Sequence, residues 1–244
     1  NFLIAEVYLI GLGLGAGFFI AIQYTSNAAW GTAYRRIPEA MLSILPYALV
    51  GLLLLIFGVH TLYEWSHPSA VAHDPLLQAK KPWLNVPFFF GRLIFYFAGW
   101  IYIGRKMVRH SLEQDEDGEI EHTRKNVTHS AVFILFGAIT FCFASFDLLM
   151  SLQPHWYSTV FGLLALSSLF LNAIAAITIV AVILRRLGFD HIITMDHLKD
   201  LGILLMSFSV FWVYMWVSQQ LLIWYSNIPE ETSYYIFRHF GGWG

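Results

Sequence analysis

One carboxylate in this sequence sits where a carboxylate is costly. Asp147 falls in the last turns of a long apolar run, and the stretch FDLLMSLQPHWYST (Phe146–Thr159) continues through Pro154 into a polar-aromatic corner of His155, Trp156, Tyr157 and Ser158. A charge at the centre of a bilayer costs about 2.5–3.5 kcal/mol on insertion scales, and less toward the interface, so Asp147 calls for a counter-charge or a task. Arg92 can neutralise it, which removes much of the cost of burying either group. Tyr96 follows Arg92 by four residues and shares its helical face. A histidine nearby can pass protons, and His60 is the candidate. Held at one depth, Asp147, Arg92, Tyr96 and His60 suit a site that takes protons from a reduced carrier and releases them to water.

The elements that must position these groups follow from composition. Hydrophobic residues make up 57% of the 244 residues and charged ones 12%, whereas about a quarter of a typical soluble chain is charged. The chain is therefore expected to be an all-α polytopic membrane protein. Six stretches reach the roughly 20 apolar residues that cross a hydrocarbon core: about 2–24, 41–62, 88–108, 128–150, 159–184 and 198–224. Short alternating segments of the β-barrel kind are absent. Gly11, Gly13, Gly15 and Gly17 in the first span permit close helix approach. Residues 1–151 read as one four-helix bundle, and 152–244 as half of a second bundle with a polar segment after it. The chain starts and stops as though it were an internal piece of a longer protein.

Loop charges orient the spans. Arg35, Arg36, Arg105, Lys106, Arg109, Arg124, Lys125, Arg185, Arg186 and Lys199 fall on one side, against Lys80, Lys81 and Arg238 on the other. The positive-inside rule makes the first side cytoplasmic. Glu6, His60, Glu64, Arg92, Tyr96, Asp147, Gln219 and Gln220 then form a layer toward the opposite, periplasmic face, to which every span but the fifth contributes. A structural ion pair between Arg92 and Asp147, or snorkelling to the interface, would explain the same residues without chemistry. A thinner set, Gln23, Tyr24, Asn27, Glu39 and His129, lies toward the basic side. The acidic run EQDEDGEIE (Glu113–Glu121) reads as a solvated loop. Trp65, Trp83, Trp156, Trp224 and Trp243 read as an interfacial belt.

Several chemistries find no residues to support them. The single cysteine, Cys142, precludes a disulfide within the chain and an iron–sulfur cluster, and no CxxCH attaches a haem. His60 has no second deep histidine with which to hold a haem, and no nucleotide motif or zinc-type spacing appears. No redox metal of its own is expected, and no nucleic-acid partner.

Four stretches carry a resemblance along nearly the whole chain: WGTAYRRIPEAM (Trp30–Met41), LNVPFFFGRLIFYFAGW (Leu84–Trp100), FDLLMSLQPHWYSTVFG (Phe146–Gly162) and WYSNIPEET (Trp224–Thr232). They resemble the second quinone-binding-type membrane subunit (ActF) of bacterial Alternative Complex III, a quinol:cytochrome c oxidoreductase. More broadly they are similar to the NrfD and polysulfide-reductase membrane anchors. The resemblance implies paired four-helix bundles in a bacterial cytoplasmic membrane. It also implies oxidation of menaquinol or another quinol near the periplasmic face. The implied partners are a paralogous NrfD-like subunit, an iron–sulfur subunit, multihaem and monohaem cytochromes c, a terminal oxidase and membrane lipids. On this map Asp147, the His155 corner, Arg92 and His60 match family positions, whereas Glu6 departs from the pattern. The expected role is a proton pathway with a quinone pocket, in which Asp147 accepts the proton, Arg92 holds its charged form, His60 relays and Tyr96 donates a hydrogen bond. Two alternatives stay open: a purely structural scaffold, and a secondary transporter with inverted repeats and broken helices.

Overall fold

A computed structural model describes residues 1–240, without the side chains of residue 230 and of residues 237–240. Trp243 of the expected belt lies outside the described residues, and the side chain of Arg238 is among those not described. Among these residues eleven α-helices follow one another: α1 (Phe2–Thr25), α2 (Arg36–Leu42), α3 (Leu45–Leu54), α4 (Val59–Leu62), α5 (Pro68–His73), α6 (Pro75–Lys80), α7 (Val86–Asp117), α8 (Ile120–Leu148), α9 (Val160–Leu184), α10 (Met195–Ser226) and α11 (Pro229–Phe240). Among the described residues there is no strand. Among the described residues six helical segments are long and apolar enough to cross a membrane, so the chain is a multi-pass membrane protein.

α1 is the hub. Two thirds (67%) of its most apolar window is buried, against 11% for α10. Two glycines explain how neighbours come so close. A Cβ on Gly15 would lie 2.6 Å from the Ala173 Cβ and 2.8 Å from the Leu169 carbonyl oxygen of α9, and one on Gly17 would lie 2.5 Å from the Phe133 ring of α8. The expected small-residue packing face is thus used on two sides. α9 packs directly on α1, and one hydrophobic core runs from Leu3 through Trp100 and Phe133 to Ile177 and Leu201. Helices expected in separate bundles share that core.

The second span is not the single helix expected over 41–62. It begins at Arg36 and breaks after Leu42, where Pro46 in the first turn of α3 has no N–H to continue the α2 ladder. A 3₁₀ turn over Leu55–Phe57 ends it, and Gly58 separates it from the four-residue α4. The acidic run 113–121 is likewise not a free loop. α7 continues to Asp117, nine residues past the expected end, and Gly118 closes it in the left-handed region at φ 72° with its N–H on the Gln114 carbonyl. α8 starts at Ile120, so the two helices form a tight hairpin. Hydropathy marks where lipid ends, and these helices do not end there.

At the other end Asn85 caps α7, its Oδ1 accepting from the Phe88 N–H at 3.0 Å, with Pro87 in the first turn. That cap fixes where Trp83 and Arg92 stand relative to each other.

Candidate functional site

The last turn of α8 and the second turn of α7 bring Asp147 and Arg92 together in a closed cluster. Asp147 is fully buried and Arg92 is 6% exposed. The pairing is bidentate: Arg92 Nε donates to Asp147 Oδ2 at 3.0 Å, and an Nη donates to Oδ1 at 2.7 Å. The Trp83 indole N–H donates to the same Oδ1 at 3.0 Å, while the Trp83 carbonyl accepts from the other Arg92 Nη at 2.8 Å. The guanidinium carbon also sits 4.1 Å from the centre of the Trp83 ring and 4.4 Å from that of Phe88. Arg92 is therefore held by a carboxylate, a carbonyl and two ring faces at once. Tyr96, one turn along α7, is buried and close enough to interact with both charges.

The backbone around Asp147 is tied down as well. Its carbonyl accepts from the Ser151 hydroxyl, and the buried Tyr63 hydroxyl donates to the Leu148 carbonyl at 3.0 Å. Tyr63 lies beyond the end of the second span; burial, with the Asp147 charge adding to it, pushes its phenol above the ordinary tyrosine range and keeps it a donor. The corner after α8 is docked on the preceding loop. His155 Nε2 lies 2.8 Å from a carboxylate oxygen of Asp74, whose other oxygen caps α6, and the Lys80 ammonium donates to the Pro154 carbonyl. Trp156 is buried and stacks on Tyr234 of α11 at 3.9 Å between ring centres.

Of the four residues expected to act together, the structure assembles Asp147, Arg92 and Tyr96. His60 stands apart. It is exposed on α4, with its Nδ1 3.0 Å from the Ser66 hydroxyl and its carbonyl accepting from His67. Glu64 is also exposed. Glu6 is buried against Gly51 with one carboxylate oxygen lacking a hydrogen-bond partner, and Gln219 is buried with both amide atoms unpaired. Gln220 is half-buried. Depth alone grouped these residues; the helix faces they occupy separate them. The sequence offered no signal for Trp83 or Tyr63 as members of the cluster, because neither shares a helix with its partner.

At the basic end, Gln23, Tyr24 and Asn27 line a cavity of about 400 Å³ together with Arg35 and Asp115. Glu39 is buried and paired with Arg35 at 3.5 Å and with Arg36, and both arginines reach Asp115. His129 packs against His110, with 5.4 Å between ring centres.

Of five cavities of about 340 to 640 Å³ among the described residues, none has Asp147, Arg92, Tyr96 or His60 in its lining. One of about 640 Å³ lies between α1, α8 and α9, walled by Tyr8, Phe141, Leu149, Phe161 and Leu164, with Gln153, Ser168 and Asn172 among its polar points. Comparison with known protein families and with characterised proteins gives no match to this chain.

Proposed function

We propose that this chain is a membrane-embedded scaffold subunit of a quinol-oxidising respiratory complex of the Alternative Complex III type. In this reading the Asp147–Arg92–Trp83 cluster is a clasp between α7 and α8, not a station on a proton path. The observation that carries the choice is closure. Both carboxylate oxygens have donors, the guanidinium is covered on its faces, and no cavity described above reaches the pair. A proton acceptor needs a route to water or carrier; a clasp needs none. Removing one partner of such a buried pair costs about 3–5 kcal/mol, so the pair can hold two helices in register even where its net contribution to stability is small.

Membership of a larger assembly is supported by the four resembling stretches and by α10, whose side chains are largely uncovered by the rest of the chain. The cavity beside α8 has the size and apolar lining of a small-molecule site, and it is where a quinol tail or lipid chain would fit this reading. Menaquinol is the quinol the resemblance implies. Haems and iron–sulfur clusters belong, on this proposal, to the partner subunits, and the basic end faces the cytoplasm of a bacterium. The second span breaks in its interior, whereas the kink of the fifth lies at its end, at Gly188, and this mismatch argues against an inverted-repeat transporter.

Affinity purification of the tagged full-length protein from its native membrane, in mild detergent, tests the assignment. The expected product carries c-type haem absorbance and quinol:cytochrome c reductase activity. A chain that purifies free of haem and of that activity would contradict it.

A further inference from the structure

At the α7–α8 hairpin, far from the clasp, three donor atoms converge. His110 and Glu113 are three residues apart and share a face of α7, and His122 returns to them from the first turn of α8. His110 Nδ1 lies 3.1 Å from Glu113 Oε2 and 3.4 Å from His122 Nδ1, and His122 Nδ1 lies 3.5 Å from the same Glu113 oxygen. A tetrahedral ion with metal–donor bonds of about 2.0–2.1 Å places its donors about 3.3–3.4 Å apart. The three observed edges describe such a face.

The surroundings prepare the donors for that use. His122 Nε2 is 2.8 Å from an Asp117 carboxylate oxygen, which takes the Nε2–H and leaves the Nδ1 lone pair directed at His110 and Glu113. The other Glu113 oxygen is held by Arg109 Nε at 2.6 Å. Two ring nitrogens and a carboxylate oxygen facing one another cannot all be satisfied by a single proton between them, whereas one cation satisfies all three. The side chains of His110 and His122 are 15% and 14% exposed, so the pocket is sheltered yet open to the aqueous side. His129 flanks the group, its ring centre 5.4 Å from that of His110 and its Nδ1 within 2.7 Å of the Lys125 carbonyl oxygen.

We propose that His110, Glu113 and His122 bind a first-row divalent cation of the Zn²⁺ class, with water at the fourth position and Asp117 as the carboxylate that orients His122. Two imidazoles and one carboxylate suit Zn²⁺, Co²⁺ or Ni²⁺ better than Mg²⁺ or Ca²⁺. The ion would fasten α7 to α8 at the mouth of their hairpin. The proposed site departs from the sequence expectation of no zinc-type spacing, which read the run around Gly118 as a solvated loop.

The test uses the full chain in nanodiscs, stripped with chelator and titrated with Co²⁺. The expected result is one ion per chain with the visible bands of tetrahedral Co²⁺, displaced by Zn²⁺. Asp117→Asn should weaken binding about 10–100-fold, His110→Ala with His122→Ala should abolish the bands, and His191→Ala should leave them unchanged. Should the double variant lose its fold, Glu113→Gln and Asp117→Asn carry the test, because both keep the histidines. Failure of wild-type protein to show tetrahedral bands, or affinity unchanged in Glu113→Gln and Asp117→Asn, overturns the proposal.

Discussion

Asp147 and Arg92 are chemically ordinary residues made unusual by depth. A carboxylate in lipid must be neutralised, and Arg92 answers with two parallel hydrogen bonds at 3.0 and 2.7 Å. That pairing was legible in the sequence, because a membrane charge needs a partner and few were available. The partnership of Trp83 was not, since a tryptophan near a helix end reads as an interface anchor and nothing in residue spacing reports a turn that folds it over α7. His60 shows the converse failure: it has the depth but lies exposed on another short helix. The clasp should appear as coupling in a double-mutant cycle. Asp147→Asn and Arg92→Gln, measured singly and together by thermal unfolding in nanodiscs, are expected to differ from additivity by about 1–3 kcal/mol. Additive losses would show that the two side chains do not act as a pair.

Among elements, α1 decides how the others are placed. Its glycine face was visible as Gly11, Gly13, Gly15 and Gly17, and the structure adds which neighbour each side accepts. Gly15→Ala drives a methyl group toward Ala173 and the Leu169 backbone, and is expected to cost about 1–3 kcal/mol as α1 and α9 separate. Gly202→Ala on α10 meets no atom within 4 Å and should instead gain about 0.5–1 kcal/mol from reduced unfolded-chain freedom. Thermal melts of both variants in one lipid system check the contrast. Helix ends were less legible than helix cores. Hydropathy drops at the edge of the membrane while α7 runs on through paired charges such as Arg109–Glu113 to Asp117, and only Gly118 marks the true stop. The break in the second span was foreshadowed by Pro46, yet its position after Leu42 depends on how α2 and α3 each pack against α1.

For the whole molecule, the basic loops and the Asp147 layer lie at opposite ends of the spans, as the alternation of helix directions requires. On the proposed orientation the α5 loop faces outward and the α9–α10 loop inward. Cys142 is the only cysteine, so single-cysteine labelling in a Cys142→Ser background is clean. Ser69→Cys should react with an impermeant maleimide in intact cells, and His191→Cys only after permeabilisation; the reverse pattern would invert the topology. All-α, multi-pass architecture could be read from composition, because lipid imposes a uniform demand on every span. The functional role could not, because an ion pair that holds helices and one that moves protons share the same residues. They differ in access, which is a property of packing. The most direct test is therefore Asp147→Asn in the assembled complex, with melting temperature, quinol turnover and proton release measured per complex. A structural clasp predicts a lower melting temperature and unchanged turnover and proton yield in the complexes that assemble. An unchanged melting temperature with turnover or proton release reduced about tenfold, or roughly 1.4 kcal/mol in the barrier, would contradict the clasp and make Asp147 a proton carrier.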